Sequence, residues 1–254
     1  MATSLEAARA RLRPLVEQAR SFSGWSDYPR SRRLGPPPSW SYEERARDLL
    51  RTARSVVDLG TGGGERFGDY LGAYPGRAVA TEEWAVNAPI AAARLHPLGV
   101  EVVRCQSLRL PFAAESFDLV LDRHEELAPK EVARVLAPGG RVLTQQVSPD
   151  HWRELLRFFP RATVGMGDLF GEYRDGFASA GLEIVDARTH TVDAAYRRLE
   201  DFVYMLCITP WTIPDFEPLG SDLEALLALE RELTTTDGLV LTDARFLIEA
   251  RKAL

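Results

Sequence analysis

The chain has 254 residues, 45% of them apolar and 27% charged, enough for one sizeable domain with an appended cap. It contains nothing near the roughly 18 consecutive apolar residues of a membrane helix, and arginines with Glu6 stand where a signal peptide is apolar, so a cytoplasmic protein without membrane contact is expected. Thirty-one basic against 37 acidic residues give −6, but residues 1–54 carry 11 basic and 6 acidic side chains; the acidic remainder disfavours DNA and other long polyanions, and the basic start leaves room for a small anion or a short RNA contact.

Leu5, Ala8, Leu12, Leu15 and Val16 recur at helical spacing between Glu6, Arg9, Arg13 and Glu17, which predicts an amphipathic helix over 4–20 despite Pro14. The run Gly35-Pro36-Pro37-Pro38 reads as a linker, and Ser41-Tyr42-Glu43-Glu44 as a capping box that restarts a helix to about Arg54. Short apolar strands are then expected at 55–59, 78–81, 100–103, 117–121 and 141–146, with helices at about 89–95 and 167–180 and a sixth strand opening at 182–185. Strands separated by helix-length segments imply a mostly parallel sheet with helices on both faces. Two more helices, 197–207 and 221–233, flank the loop Thr209–Phe216, and 246–250 closes the chain as a strand antiparallel to the sixth. The expected division is an N-terminal helical cap and linker (1–40), a core (41–196), a helical lid insertion (197–238) and a final strand (239–254).

Asp58-Leu59-Gly60-Thr61-Gly62-Gly63-Gly64-Glu65 lies where a strand gives way to a helix, the place where an open parallel sheet binds ligands. Such a turn suits either a dinucleotide or S-adenosylmethionine. A pyrophosphate wants the bare helix N-terminus and a small residue where this chain has Glu65; two carboxylates, Asp58 and Glu65, would repel it by roughly 4 kcal/mol per close pair at an effective dielectric of 20. A cationic sulfonium nucleoside would be attracted. The next strand ends in Thr81-Glu82-Glu83-Trp84, where Glu82 can accept hydrogen bonds from both ribose hydroxyls and Trp84 either flanks the nucleoside or simply packs.

These motifs, with Leu110-Pro111-Phe112-Ala113-Ala114-Glu115-Ser116-Phe117-Asp118-Leu119-Val120 and Arg134-Val135-Leu136-Ala137-Pro138-Gly139-Gly140-Arg141-Val142-Leu143, resemble in order and spacing those of class I S-adenosylmethionine-dependent methyltransferases over about residues 43–190. The chain looks most similar to a poorly characterised bacterial branch of that class. The resemblance implies a Rossmann-like, doubly wound, seven-stranded α/β sheet with an antiparallel last strand and a helical cap. It implies further that Asp58, Gly60, Thr61, Gly62 and Gly64 surround the methionine part, that Glu82 binds ribose, and that Gln106, Ser107 and Leu108 contact adenine. Many members have aspartate where this chain has Gln106; its carbonyl could still accept a hydrogen bond.

By the same resemblance the stretch Asp122-Arg123-His124-Glu125 faces the methyl group. His124 has the chemistry of a general base, or else hydrogen-bonds backbone; Arg123 either pairs with Glu125 or meets an acidic acceptor. Tyr204 and Trp211 are candidate walls of the substrate pocket, at least one of them facing the donor cleft, with Trp25, Tyr28, Trp40, Phe202 and Phe216 as further lid aromatics. Cys105 and Cys207 form no zinc pair, and the four histidines are scattered, so no metal is expected. The leading expectation is methyl transfer from S-adenosylmethionine to a small molecule. An RNA acceptor, a nicotinamide oxidoreductase and a non-catalytic S-adenosylmethionine binder stand as alternatives.

Overall fold

A computed structural model describes residues 2–254, with side chains from Ser4 onward. The chain order is α1 (Ala2–Ala19), β1 (Arg32–Arg33), α2 (Tyr42–Leu50), β2 (Ser55–Leu59), α3 (Glu65–Leu71), β3 (Arg77–Thr81), α4 (Asn87–Leu95), β4 (Val100–Val103), β5 (Phe117–Arg123), α5 (Pro129–Val135) and β6 (Leu136–Val147). Then follow α6 (Leu169–Ser179), β7 (Leu182–Tyr196), α7 (Leu199–Ile208), α8 (Leu223–Leu233), β8 (Thr234–Thr235) and β9 (Gly238–Lys252). Among these described residues no helix is long and apolar enough to cross a membrane.

The strands form one sheet in the order β1-β7-β9-β6-β5-β2-β3-β4, with β8 paired to β9. Strands β4, β3, β2, β5 and β6 are parallel neighbours, and β9 runs antiparallel between β6 and β7. The sheet is the expected mostly parallel, Rossmann-like one, with seven long strands; the two-residue β1 and β8 bring the count to nine. Parallel strands bury both faces: Val57 and Leu59 point into the core beneath α5 and α6, and Val56 into the one beneath α2, α3 and α4.

The direction of strand winding reverses at β2. From there the chain winds outward through β3 and β4, then returns to place β5 on the other side of β2. Loops leaving β2 and β5 therefore face each other across a crevice at the carboxyl edge.

A third core lies outside the sheet. Ala8, Leu12, Val16 and Ala19, spaced four, four and three apart, bury one face of α1 against Phe202, Val203 and Leu206 of α7 and Leu226 and Leu229 of α8. Fully burying residues such as Leu12 contributes about 1.5–3 kcal/mol each, which carries the helix across Pro14. Trp152, Leu155, Phe159 and Ala162 join this core, although sequence reasoning groups them with the sheet. The N-terminal helix and the 197–237 segment thus share one apolar interior. That segment rises from a ladder in which β7 and β9 pair from Leu182↔Lys252 to Tyr196↔Leu239.

Candidate active site

The glycine turn needs its glycines for two reasons. Gly60 and Gly62 adopt left-handed φ of 56° and 63°. A Cβ on Gly60 would overlap the Glu125 side chain, and one on Gly62 would lie 2.5 Å from Cδ1 of Trp25. The turn is therefore a cradle walled by a carboxylate from the β5 loop and an indole from the N-terminal segment.

Glu82 ties this cradle to the neighbouring loop. Its Oε2 accepts the Gly62 N–H at 2.7 Å and its Oε1 the Trp84 N–H at 2.8 Å, both direct consequences of its position one residue past β3. A carboxylate has about four acceptor positions, so roughly two remain for hydroxyl groups. Burial raises the Glu82 pKa despite these bonds. Asp58, buried at the end of β2, takes a long contact from the Tyr70 hydroxyl at 3.5 Å and is pushed up to about 7 by desolvation.

Glu125 belongs to the same group; the sequence places it in the stretch facing the methyl group and as a possible partner of Arg123, but among the described residues it makes no ion pair with Arg123 and lies against Gly60 instead. The left-handed backbone at His124 (φ 70°) turns it towards Gly60, and burial, then the nearby charge of Glu82, raise it to about 7. Asp122 fixes that turn: its carboxylate accepts from the Glu125 N–H at 3.2 Å, the Thr144 hydroxyl at 2.9 Å and the Gln146 amide at 2.7 Å. A positive backbone angle on a histidine leaves no composition signal, so Glu125's direction was not readable beforehand.

Other expected positions fall as follows. Gly64 caps α3, and Thr61 has a buried hydroxyl without a partner facing Asp58. Ser107 is buried, Leu108 is exposed, and Gln106 donates to Glu83 at 2.7 Å. Trp84 lies half exposed and stacks on Phe22 at 6.4 Å. Glu65 is already engaged: its Oε1 accepts the Trp25 N–H at 3.1 Å and stands 3.7 Å from Arg94. The repulsion of a pyrophosphate thus rests on Glu82, Asp58 and Glu125 more than on Glu65.

Tyr204 is buried, edge-on to Phe22, whose ring also meets Trp25 and Trp84. Trp211 is 63% exposed, its carbonyl receives the Thr163 hydroxyl, and no ring contact among the described residues joins it to that cluster. Trp40 donates to the Gln145 side chain at 2.9 Å, and Gln145 lies 3.5 Å from the His124 ring.

On the other side of Glu125 the charge changes sign. His124 is open to solvent yet crowded by protein, and this desolvation, then the charges of Arg123 and Arg245, hold its imidazole well below the usual range. Arg123 is partly buried and makes no hydrogen bond or ion pair among the described residues; burial and the nearby Arg66 and Arg245 lower its pKa. Acidic and basic halves meet at the end of β5.

Residues 57–144 match the family model described as a methyltransferase domain. The matched stretch is similar to methyltransferase domains. It runs from within β2 to within β6 and so holds the glycine turn, Glu82, Arg123, His124 and Glu125, while the Trp25 wall of the cradle lies outside it. Solved structures share the fold of the domain and its surroundings. A provisionally assigned methyltransferase of Bacillus halodurans is 17% identical with a TM-score of 0.58, over 82% of this chain and 98% of that one. The [4+2]-cyclase SpnF is 16% identical with a TM-score of 0.56, over 96% and 93%. A geranyl diphosphate methyltransferase in complex with GPP and sinefungin is 19% identical with a TM-score of 0.50, over 83% and 78%. No curated protein sequence is similar enough to match the chain.

Proposed function

We propose that the protein is a cytoplasmic methyltransferase that uses S-adenosylmethionine to methylate a small molecule. The observation that carries this reading is the carboxylate set around the glycine cradle, with Glu82 bonded to the Gly62 N–H, Asp58 beneath and Glu125 against Gly60. Three acids on a turn of positive-φ glycines suit a cationic nucleoside and oppose a pyrophosphate. The unpartnered Thr61 hydroxyl and the two unused acceptor positions on Glu82 fit the hydroxyl and amino groups of such a ligand.

When bound, S-adenosylmethionine supplies a methyl carbon on a sulfonium, already activated for in-line displacement. The chain's own task is then to align, to exclude water and to manage one proton. Asp58, Glu82 and Glu125 hold the donor's positive and hydroxyl groups. Trp25, packed on the core shared by α1, α7 and α8, rests against Gly62 of the turn. His124, kept neutral by crowding and by neighbouring arginines, has a nitrogen free to take a proton from a hydroxyl or amine acceptor. Tyr204 supports the aromatic wall through Phe22.

Calorimetry with S-adenosylmethionine, S-adenosylhomocysteine and NAD tests the cofactor; saturable heat with the sulfur compounds and none with NAD is expected, and the converse would overturn the reading. Because a cyclase shares the fold, transfer of a labelled methyl group into a metabolite extract is the second requirement. Saturable binding without transfer would leave a binder in place of an enzyme.

A further inference from the structure

The carboxylates account for a cationic donor but not for the basic half of the crevice. Arg123 ends β5, where its register partners are Gln145 on β6 and, through it, Leu247 on β9, so its side chain lies on the sheet face that carries α2. Facing partners share a side of a sheet, and Arg245, two residues before Leu247 on β9, projects to that same face. Arg66, in the first turn of α3, approaches from the glycine side and makes no ion pair among the described residues. Arg245 is already engaged by Asp243 at 2.8 Å. Arg123 and Arg66 are therefore the uncommitted cations.

A second observation converges on the same place. Tyr42, at the start of α2, is 5% exposed and its hydroxyl has no partner; Asp58, Asp122 and Arg123 are its charged neighbours. A buried hydroxyl without a partner costs about 1–3 kcal/mol and is rarely left so without a ligand to meet it. Nearby acids do not pair with Arg123: Asp122 is engaged by Thr144, Gln146 and the Glu125 N–H, and among the described residues Asp58 makes no ion pair with it.

We propose that the methyl acceptor carries an anionic group, a carboxylate or a phosphate, seated on Arg123 with Arg66 and the Tyr42 hydroxyl beside it. This rests on the methyltransferase reading, since it specifies the acceptor of that reaction. An anion there leaves the donor to the acids around Gly60 and Gly62 and places the acceptor beside His124. Guanidinium groups bind carboxylate and phosphate through paired N–H donors, which fixes orientation as well as charge.

The test titrates inorganic phosphate and, separately, acetate into protein saturated with S-adenosylhomocysteine at constant ionic strength, following the tryptophan indole N–H resonances. Saturable shifts with at least one anion are expected, acetate alone pointing to a carboxylate acceptor and phosphate alone to a phosphorylated one. Arg123→Gln should weaken that binding about tenfold or more, the loss of a charge-assisted bond, whereas Arg123→Lys retains most of it. Undiminished S-adenosylhomocysteine affinity in both variants certifies that the site is folded. No saturable shift with either anion, or equal affinity in Arg123→Gln, overturns the proposal. Failure of S-adenosylhomocysteine to bind would sink the methyltransferase reading instead, and the anion titration on the free protein would still decide the role of Arg123.

Discussion

Glu82→Ala separates the backbone bonds that Glu82 makes from the ribose contact proposed for it. The Gly62 N–H that it bonds at 2.7 Å is buried, whereas the Trp84 N–H lies beside a half-exposed residue and can turn to water. Stranding the first donor costs about 1–3 kcal/mol, and relief of the carboxylate's own desolvation returns part of it, so a net loss of about 2 kcal/mol is expected. For a chain of this size that is a fall in Tm of about 4–8 °C. Loss of a charged acceptor for ribose hydroxyls costs a further 1.5–3 kcal/mol of donor binding, roughly ten- to 150-fold in Kd. Thermal melts and calorimetry on the purified variant read the two effects separately. An unchanged Tm would show that the clamp on the glycine turn contributes nothing, and unchanged affinity would show that another carboxylate binds the ribose.

The raised carboxyls make pH a probe. Asp58 and Glu125, both at about 7, contribute stability that is fully present below the ordinary carboxyl range near pH 4 and is lost as pH rises through about 7. A cationic donor favours their ionised forms, so its affinity should rise from pH 6 to 8 with protons released, read by calorimetry in two buffers of different ionisation heat; a flat profile contradicts this. Gly62→Ala puts a methyl group 2.5 Å from the Trp25 ring at a left-handed position, and should shift tryptophan emission to the red and abolish donor binding; unaltered emission would mean that Trp25 does not rest on the turn. His124→Gln should lower kcat roughly 100-fold or more with donor affinity intact, if the acceptor loses a proton in the transfer step. A loss under about tenfold would remove the general-base role.

Much of the sheet was legible because parallel strands must be apolar on both faces. Val56, Val57 and Leu59, or Leu119, Val120 and Leu121, can hardly lie elsewhere. The upper half of β7 was not, since Arg188, Thr189, His190 and Thr191 interrupt any apolar run; their partners Leu247, Phe246, Arg245 and Ala244 on β9, far along the chain, supply the reason to be extended. Glycines and the Glu82 position pointed to the cradle by local chain geometry. Glu125 reaches Gly60, and Arg66 and Tyr42 come near Arg123, only through topology, from separate parts of the chain, and no spacing along the chain encodes those meetings.

The stretch after α1 is fastened around the glycine turn at two points: the Gly24 N–H bonds the Asn87 side chain at the start of α4 at 2.8 Å, and the Trp25 N–H bonds Glu65 at the start of α3 at 3.1 Å. Its indole then rests on Gly62, and Phe22 beside it reaches Tyr204 in the insertion. On the proposed function, a nucleoside would reach the turn while this fastening is undone, and the acceptor would follow once it is remade. Product-inhibition patterns would expose the result, a compulsory sequence in which the donor binds first and its spent form leaves last; random-order patterns would refute it. The two hydrogen bonds would then act as a turnstile, setting the order of traffic without touching the reacting atoms.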